Sequence, residues 1–565
     1  MVDPPASPTP ASARTAAPVV VDLDQEREAL AEARRAVRTK IAKLATIEGG
    51  GADALADEYI ASVVVGAVER MQHDLVVFGR VDDDRPWRVG LYGIDDGGDQ
   101  LVVDWRAPFA EGFYQARFDD PHGLDRRVSY VGCIDDLFIE DFTTGEVAGS
   151  SPLLGELARH RSSTMRAAVA TLQSEQDDLV RRDPRDRLVL RGGPGTGKTV
   201  VGLHRAAWLV YNDQRITADR ILVIGPSDRF LRFVASVLPT LGEARVLQTT
   251  FERLLGESAP IGGDDRWLAL LDAFEASLLA PAEVKVGWRT IALAEVTELM
   301  ERLSTRPLPW RDRRKVFVSS LAARYELKTG DVSKAVADVW PSCTTNQALA
   351  RLRRRPLLEE LARRTGAVDD AFIDEWLASS GDGAVRDEIR ARFEGVPARY
   401  SHVIVDEAQD LTGLQLRAVM RRADGLTLVG DDAQRSNPGS IGLRHAATLL
   451  DVDLEQMTTA YRMSAEIAEW LNVHAAAHAI DGVTLVGIRP TGTPVRDLTA
   501  ADPDELLTDL RDRWPNVADI RAGEVWDHKG VEYDAVLVRA GAMTASELYL
   551  AASRAAHELV VLRDA

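Results

Sequence analysis

The segment "RLVLRGGPGTGKTVVGLHRAAWLVY", residues 187–211, sets the architecture of this 565-residue chain. A short apolar run leads into "GGPGTGKT", which satisfies the pattern GxxxxGK[ST], and a helix-like apolar pattern follows. In this context the glycines let the backbone wrap around phosphates, Lys198 reaches the β and γ oxygens, and the Thr199 hydroxyl binds Mg²⁺. The predicted ATP-binding residues of the loop are Gly193, Gly195, Thr196, Gly197, Lys198 and Thr199. The segment therefore predicts an α/β fold with a P-loop nucleotide site.

A second motif, "HVIVDEAQD" at residues 402–410, is an apolar run that ends in two carboxylates. We expect a strand that places Asp406 beside the metal and Glu407 one residue further, where an attacking water lies. Metal support and activation of water are the two acidic roles that phosphoryl transfer needs. Together with the P-loop, the motif predicts ATP hydrolysis with ATP and Mg²⁺ as cofactors.

The chain from Leu188 onward alternates between strand-like and helical patterns. The strand-like runs are "LVL", "ILVIGP", "HVIVDE", "LTLVG", "AVLV" and "LVVL". Between the second and third of them lie about 150 residues, 251–400, which are mostly helical in pattern and rich in Arg in places. Because a segment of this length rarely joins two strands of one sheet directly, we predict an inserted helical domain.

The N-terminal part predicts three pieces of different character. Residues 1–20, rich in Pro, Ala and Ser, predict a disordered tail. Residues 21–75 predict an antiparallel helical hairpin, a coiled coil with its tip at residues 48–53, either packed on its own domain or projecting from it. Its first arm carries a heptad of Leu23, Leu30, Val37 and Leu44. Residues 76–150 predict a small β-rich module, in which "VVDWRAPFAEGFYQA" is best explained as a structural corner.

Composition limits the class of protein. The formal charge of −20 argues against broad affinity for nucleic acid, but it allows a local basic groove or a partner with a basic surface. Cys133 and Cys343 are too few for a disulfide framework or a thiolate zinc site. No apolar run is long enough to span a bilayer, and the N-terminus lacks the pattern of a signal peptide. We therefore predict a cytoplasmic protein without membrane contact.

Further motifs specify the class of motor. They are "TLQSEQ" before the P-loop, then "LVGDDAQ", "TTAYRMSAEI", "VWDHKGVEYDAVLV" and "LYLAASRAAHELVVL". Their order resembles the superfamily 1 helicases from about Thr171 to the end of the chain. The resemblance implies two RecA-like motor domains with parallel sheets, at residues 151–250 with 401–434 and at residues 435–565. It assigns six further residues to the nucleotide: Gln176 to the adenine, Tyr461 to the face of the base, Glu532 to the ribose, Gln434 to the γ-phosphate, and Arg462 and Arg554 as arginine fingers.

The resemblance narrows to the HelD and HelR family of ATPases that recycle bacterial RNA polymerase. It rests on "FGRVD", "VVDWRAPFAEGFYQA", "GKTVVGLHRAAWLVY", "IGPSDRFLRFVASVLPTLGE", "LQTTF" and "VIVDEAQDLTGLQLRAV". It implies a monomer that binds core RNA polymerase, with the hairpin in the secondary channel and the insertion in the main channel, and that releases nucleic acid. Some members are associated with tolerance to rifamycins. Both appended parts look shorter here than in the family.

The loop after Gln434, "RSNPGSIG" at residues 435–442, contains no aromatic residue. Unwinding relatives usually carry an aromatic and an Arg there, and stacking on a base contributes about 1 to 3 kcal/mol. Weak or indirect contact with nucleic acid and a protein partner are therefore favoured. The alternatives are a DNA-dependent helicase or translocase in repair and a non-enzymatic factor that sequesters polymerase. We also expect an acidic insertion to compete for a basic main channel.

One pair of histidines has the spacing of zinc ligands. His474 and His478 lie four residues apart in a helical pattern. No glutamate follows the first His, and no third ligand is visible in the sequence. A packed helix face is therefore the favoured interpretation.

Overall fold

The computed structural model describes residues 21–44, 77–131, 134–149, 172–241, 243, 245–396, 398–499 and 501–563. The chain divides into two units, and the second begins, apart from three residues further upstream, at Gln173. The predicted tail, the tip and second arm of the predicted hairpin, and Cys133 lie outside the described residues. No helix in the described part of the chain is both long and apolar enough to cross a membrane.

The first unit combines a long helix with a seven-stranded sheet. Its elements are α1 (Leu23–Leu44), β1 (Val77–Asp82), β2 (Pro86–Gly90), β3 (Ile94–Asp96), β4 (Asp99–Asp104), a 3-10 turn (Pro108–Ala110), α2 (Glu111–Gln115), β5 (Arg126–Val131), β6 (Asp136–Asp141) and β7 (Glu146–Ala148). The strand order is β3-β4-β2-β1-β5-β6-β7, with antiparallel neighbours except for β2 and β4. The predicted β-rich module is therefore a single mixed sheet.

Helix α1 packs on this sheet through one apolar face. Its residues Leu30, Ala33 and Val37 belong to the hydrophobic core of the unit. At its start the buried Glu26 carboxylate accepts hydrogen bonds from Arg80 (2.6 Å), Arg88 (3.0 Å) and Tyr130. Burial opposes ionisation of Glu26, but these three partners hold its pKa below the usual value. The described part of the predicted hairpin is thus packed on its own domain.

The segment "DWRAPFAEGFYQA" forms the corner between β4 and α2. The Asp104 carboxylate accepts hydrogen bonds from the backbone N–H of Arg106 (2.9 Å) and from its guanidinium (2.9 and 2.8 Å). Trp105, Phe113 and Tyr114 are buried around this turn. The interpretation as a structural corner is confirmed, since each of these polar and aromatic side chains has a packing role.

The second unit opens with the elements that carry the P-loop. They are α3 (Ser174–Val180), β8 (Arg187–Gly192), α4 (Lys198–Asn212), β9 (Ile221–Gly225), α5 (Asp228–Val237), β10 (Leu247–Thr250) and α6 (Phe251–Leu255). Two short 3-10 turns, Ala218–Arg220 and Leu238–Leu241, precede β9 and follow α5. Strands β8 and β9 are mostly apolar and buried, as expected when helices cover both faces of a parallel sheet, whereas the edge strand β10 is more polar and partly exposed.

The insertion is mainly helical, with one small hairpin. Its elements are α7 (Arg266–Leu278), β11 (Val284–Val286), β12 (Arg289–Ile291), α8 (Leu293–Ser304), α9 (Trp310–Tyr325), α10 (Thr329–Ala335), α11 (Thr345–Leu352), α12 (Arg355–Thr365), α13 (Asp370–Ala378) and α14 (Gly383–Phe393). Its core is aromatic and includes the buried Trp267, Trp310, Trp340 and Trp376. Cys343 is free and buried, and burial raises the pKa of its thiol.

The chain then returns to the first motor sheet. The returning elements are β13 (Tyr400–Val405), α15 (Gly413–Arg422), β14 (Ala423–Gly430), α16 (Gly442–Leu450) and β15 (Leu454–Met457). The order is β10-β9-β13-β14-β8-β15, and every neighbouring pair is parallel. The sheet thus extends past Gln434, the predicted end of the domain. Because all strands are parallel, their carboxyl ends meet at one edge, where ligands bind in such sheets.

The second motor sheet is smaller. Its part of the chain contains β16 (Thr459–Ala460), α17 (Ala465–Ala477), β17 (Val486–Gly487), β18 (Arg496–Leu498), α18 (Pro503–Arg513), β19 (Val517–Arg521), a 3-10 turn (Val525–His528), β20 (Tyr533–Arg539), α19 (Ala545–Ala552) and β21 (Ala555–Leu562). Four parallel strands have the order β18-β21-β20-β19. The predicted α/β fold with two parallel sheets is confirmed.

Candidate active site

The P-loop links β8 to α4 and curls tightly. Gly197 has φ of 84°, a left-handed conformation that favours glycine, and it lies directly before α4. A Cβ on Gly193 would lie 2.3 Å from Leu485 of the second motor domain. The Lys198 ammonium donates to the Gly193 carbonyl (2.8 Å). The loop therefore has the cradle that phosphates require at a helix N-terminus, with its lysine inside it.

The metal side of the site is formed by α4 and the end of β13. The Thr199 hydroxyl donates to Asp406 Oδ2 (2.7 Å), and the Glu407 backbone N–H donates to Asp406 Oδ1 (2.9 Å). Burial and the neighbouring Glu407 carboxylate raise the pKa of Asp406 to about 6. A hydroxyl and a carboxylate in contact are the hard oxygen donors that Mg²⁺ prefers. These residues fit the predicted metal, and their role as its ligands stays a prediction.

Glu407 occupies a strained backbone position at the start of the 3-10 turn Ala408–Asp410. Its φ of 55° is unusual for a residue with a side chain. The Gln409 amide donates to Glu407 Oε2 (2.7 Å), and Lys529 Nζ lies 3.3 Å from the same oxygen. Burial opposes ionisation of Glu407, but Lys529 and Lys198 hold its pKa below the usual value. The geometry therefore presents a fixed carboxylate that is suited to accept a proton.

Gln434 joins the first motor domain to the second. Its amide donates to Asp431 Oδ2 (2.7 Å), and its Oε1 accepts a hydrogen bond from Arg554 Nη2 (2.6 Å). Asp431 is in turn fixed by its backbone N–H, which donates to Gln409 Oε1 (3.0 Å). Burial lowers the pKa of Arg554 below its ordinary value. The structure thus links a residue at the end of β14 directly to an arginine that follows α19.

A cavity of about 200 Å³ lies between α3, the P-loop and the segment before α17. Gln176, Thr196 and Tyr461 line it, together with Met457 and Thr459. The Gln176 amide donates to the Thr196 carbonyl (3.1 Å), so this side chain is anchored to the P-loop. The cavity holds both residues predicted for the adenine, and an amide beside an aromatic ring is the chemistry that recognises a base.

Arg462 and Glu532, assigned separately to the phosphates and the ribose, bind each other. Arg462 Nη1 lies 2.9 Å from both Glu532 oxygens. The Arg462 side chain is 45% exposed, and the backbone N–H of its neighbour Tyr461 donates to the Gly195 carbonyl (3.0 Å). Both residues therefore lie beside the P-loop as a pair, and their separate roles stay predictions.

Lys529 and Asp410 are the main site residues that sequence reasoning missed. Lys529 Nζ donates to Asp410 Oδ2 (2.6 Å) and to the Gln434 carbonyl (3.0 Å), in addition to its approach to Glu407. Both residues lie inside motifs that were used for other assignments, "DEAQD" and "DHKGVEYD". The sequence signal for Lys529 is its position directly before a Gly and a strand. This pattern has no distinctive spacing that would mark a site residue.

Of the two histidines, His474 packs on the buried face of α17, whereas His478 directly follows the helix and is exposed. His474 is stacked on Trp470, with ring centroids 5.1 Å apart, and its Nε2 lies 2.9 Å from the Ala545 carbonyl oxygen. No group of three or more His, Cys, Asp or Glu side chains that could hold a metal occurs in the described ranges. The interpretation as a packed helix face is therefore confirmed for His474 and is wrong for His478.

Two family models match parts of the chain. The model described as "DNA helicase IV HelD, N-terminal domain" matches residues 13–132. The model described as "AAA domain" matches residues 176–440, which include the P-loop, the insertion and Gln434. The chain thus joins an N-terminal domain of the HelD type to an ATPase domain of the helicase-like AAA type. The prediction of a P-loop ATPase is confirmed.

Solved structures give only distant likenesses. "Crystal structure of Arterivirus nonstructural protein 10 (helicase)" is 12% identical, with a TM-score of 0.27, over 69% of this chain and 62% of that protein. "The structure of PRRSV helicase" is 16% identical, with a TM-score of 0.23, over 30% and 36%. The chain thus covers less than two thirds of the length of each of these two proteins. Among curated protein sequences, none matches this chain.

Proposed function

We propose that this chain is a HelD-type motor that binds core RNA polymerase and uses ATP-dependent movement of its two motor domains to free stalled or idle polymerase from nucleic acid. The observation that carries the proposal is the combination of a HelD-type N-terminal domain with an ATPase domain that is interrupted by a helical insertion. The predicted N-terminal hairpin and the insertion supply the contacts with polymerase, and one monomer binds one polymerase.

The chemistry of the site supports hydrolysis as the energy source. Glu407 accepts the proton of the attacking water, while Lys198 and Arg554 stabilise negative charge on the phosphates. Gln434 contacts Arg554, so a change at the γ-phosphate alters contacts in both motor domains. Mg²⁺, held by Thr199 and Asp406, supplies further positive charge when it is bound.

The charge of the insertion corrects one part of the earlier expectation. Residues 251–400 contain 24 acidic and 23 basic residues, so the insertion is nearly neutral. The excess of acidic residues lies in the rest of the chain. The prediction that an acidic insertion competes with nucleic acid for the main channel is therefore wrong. Contacts of the insertion with polymerase have to rely on shape and apolar anchors.

The decisive experiment compares two activators of ATP turnover. Purified protein is incubated with core polymerase or with single-stranded DNA, and phosphate release is measured for both. We expect the protein to bind core polymerase stably at moderate salt. We also expect ATP turnover to rise with core polymerase and not with single-stranded DNA. Failure to capture polymerase would remove the proposal. The same capture assay with rifampicin-bound polymerase tests the tolerance to rifamycins that the family resemblance implies.

A second candidate is a DNA-dependent translocase, which the name "DNA helicase IV" of the matching family model favours. In that case single-stranded DNA without polymerase would strongly stimulate turnover. The loop at residues 435–442 speaks against this candidate, because its polar residues are bound to Asp410 and it offers no ring for stacking on a base.

The insertion presents one preformed anchor for a protein partner. Trp288 lies in the turn between β11 and β12 and is 84% exposed, the largest exposure among the large apolar side chains of the described residues. Gly287 shapes the turn with φ of 61°, and Val284 and Ile291 bury the strands in the core of the insertion. The Arg289 guanidinium lies 4.5 Å from the Trp288 ring centroid. Trp and Arg are enriched among the residues that dominate binding energies at protein interfaces.

Trp288→Ala is expected to weaken binding of core polymerase by about 30-fold or more, the size of an interface hot spot. Polymerase-independent ATP turnover should stay unchanged, because the β11–β12 hairpin contributes no residue to the ATP site. Affinity is measured by titration with labelled polymerase. Leu449→Ala, another exposed apolar truncation, is the matched control and should bind as the parent protein does. Equal affinities for the two variants would exclude the β11–β12 hairpin as an anchor for polymerase.

A further inference from the structure

Lys529 enters the catalytic centre of the first motor domain from the second. It directly follows the 3-10 turn Val525–His528, between β19 and β20, and its side chain is 15% exposed. Its ammonium contacts four oxygens of the other domain. They are Asp410 Oδ2 (2.6 Å), Gln434 O (3.0 Å), Ser436 Oγ (3.2 Å) and Glu407 Oε2 (3.3 Å). An ammonium has three N–H groups, so Lys529 is saturated in this position.

Asp410 links the turn that bears Glu407 to the loop after Gln434. Its Oδ1 accepts hydrogen bonds from the backbone N–H groups of Ser436 (2.6 Å) and Asn437 (3.0 Å), and its carbonyl accepts one from the Asn437 amide (3.0 Å). Asp410 Oδ2 receives the Ser436 hydroxyl as well as Lys529. The first part of the loop at residues 435–442, at Ser436 and Asn437, is therefore held by one carboxylate, whose charge Lys529 balances.

The two elements that Lys529 bridges both carry site residues. Glu407 sits on the turn Ala408–Asp410 with a strained φ of 55°, so it keeps its place only if its surroundings hold it. Gln434 precedes the bound loop, and its own carbonyl is a partner of Lys529. Withdrawal of Lys529 with the second domain would release both elements together. Asp410 is the nearest partner, so Glu407 is oriented by Lys529 without being its main contact.

We infer that Lys529 is a positioning residue for ATP hydrolysis, which orders Glu407 and the 435–442 loop only while the two motor domains are together. The loop that lacks an aromatic residue thus acts as a link between the γ-phosphate site and the second domain. The inference rests on the proposed hydrolysis at this site, and it is independent of which partner the protein binds.

The test uses Lys529→Met, Lys529→Arg and Asp410→Asn in the full chain. For Lys529→Met we expect kcat to fall by about 10- to 100-fold, the size of a lost electrostatic contact in an active site, with KM for ATP within about twofold. Lys529→Arg restores part of kcat. The double variant with Asp410→Asn is no slower than the slower single variant, because both act through one contact.

A second readout does not depend on turnover. Hydrogen exchange of the amides of Ser436 and Asn437 should speed up by about tenfold or more in Lys529→Met and Asp410→Asn, since their hydrogen bonds to Asp410 loosen. Lys334→Met, an exposed lysine of the insertion, is the control with the same substitution. If the parent protein showed no ATP turnover, the proposed hydrolysis would be excluded. The hydrogen-exchange measurement would still test whether Lys529 and Asp410 order the loop at residues 435–442.

Three results would overturn the inference. An unchanged kcat with unchanged hydrogen exchange at residues 435–442 would show that the contacts of Lys529 affect neither hydrolysis nor the order of this loop. A rise in kcat for Lys529→Met would mean that Lys529 slows ATP hydrolysis in the parent protein. A loss of melting temperature with equal changes in KM and kcat, not rescued by Lys529→Arg, assigns it a purely structural role.

Discussion

Glu407→Gln is expected to lower ATP turnover by about 10³-fold while the protein still binds ATP. The substitution keeps the size of the side chain and its hydrogen bond with Gln409, but it removes the acceptor for the proton of the attacking water. General base catalysis contributes about 10²- to 10⁴-fold in enzymes, which sets the expected size of the loss. Because Lys198, Thr199 and the adenine cavity are untouched, the affinity for nucleotide should change by less than about threefold.

Phosphate release under saturating ATP measures the turnover, and a fluorescent nucleotide measures binding. Glu301→Gln, an exposed carboxylate of the insertion, is the matched control and should behave as the parent protein. The result also decides between an enzyme and a factor that only sequesters polymerase. If the parent protein turned over at background level and Glu407→Gln changed nothing, ATP would serve only to fix the shape of the protein.

The residues that the sequence predicted well are those whose chemistry is local. The P-loop and the acidic strand end carry their own context, an apolar strand and a helix, and the structure brings Thr199 and Asp406 within 2.7 Å. Gln176 and Tyr461, more than 280 residues apart, line one cavity because the order of motifs matches a known class of motor. In both cases a short motif fixes a position at the edge of a sheet.

The features that could not be predicted depend on contacts between distant segments. Nothing in "DHKG" indicates that Lys529 reaches Asp410, because the contact requires a particular closure of the second motor domain on the first. The pairing of Arg462 with Glu532 has the same origin. Likewise, the heptad of α1 is compatible with a projecting coiled coil, and only the three-dimensional core shows Leu30 and Val37 packed on the sheet.

The loop at residues 435–442 shows how one sequence feature acquires a different meaning. The absence of an aromatic residue suggests a motor that does not grip a base. The structure adds that its Ser436 and Asn437 are occupied by Asp410, so the loop already has a partner within the protein. A segment that would otherwise face nucleic acid is held against the nucleotide site, which fits a motor that transmits domain movement to a protein.

Arg554 should be the second largest contributor to turnover, and Arg554→Ala is expected to lower kcat by about 10³-fold, the lower end for an arginine finger. The side chain is buried and donates to Gln434 Oε1 (2.6 Å), so it reaches the γ-phosphate sensor from the second motor domain. Arg554→Lys keeps a positive charge but loses the planar fork, and we expect it to recover about tenfold of the loss at most.

Measurements of kcat and KM for ATP, with melting temperature, separate the role of Arg554 in catalysis from its role in packing. Loss of a buried arginine leaves Gln434 Oε1 without its donor, so some loss of stability accompanies the change. Arg563→Ala, which removes an exposed arginine paired with Asp497 in the same domain, is the control. In a cycle with Gln434→Ala, the double variant should be no slower than Arg554→Ala, because the two side chains act through one hydrogen bond. An increase in KM at constant kcat would instead mean that Arg554 binds ATP in the ground state, and the two motor domains would then close without contributing to the chemical step.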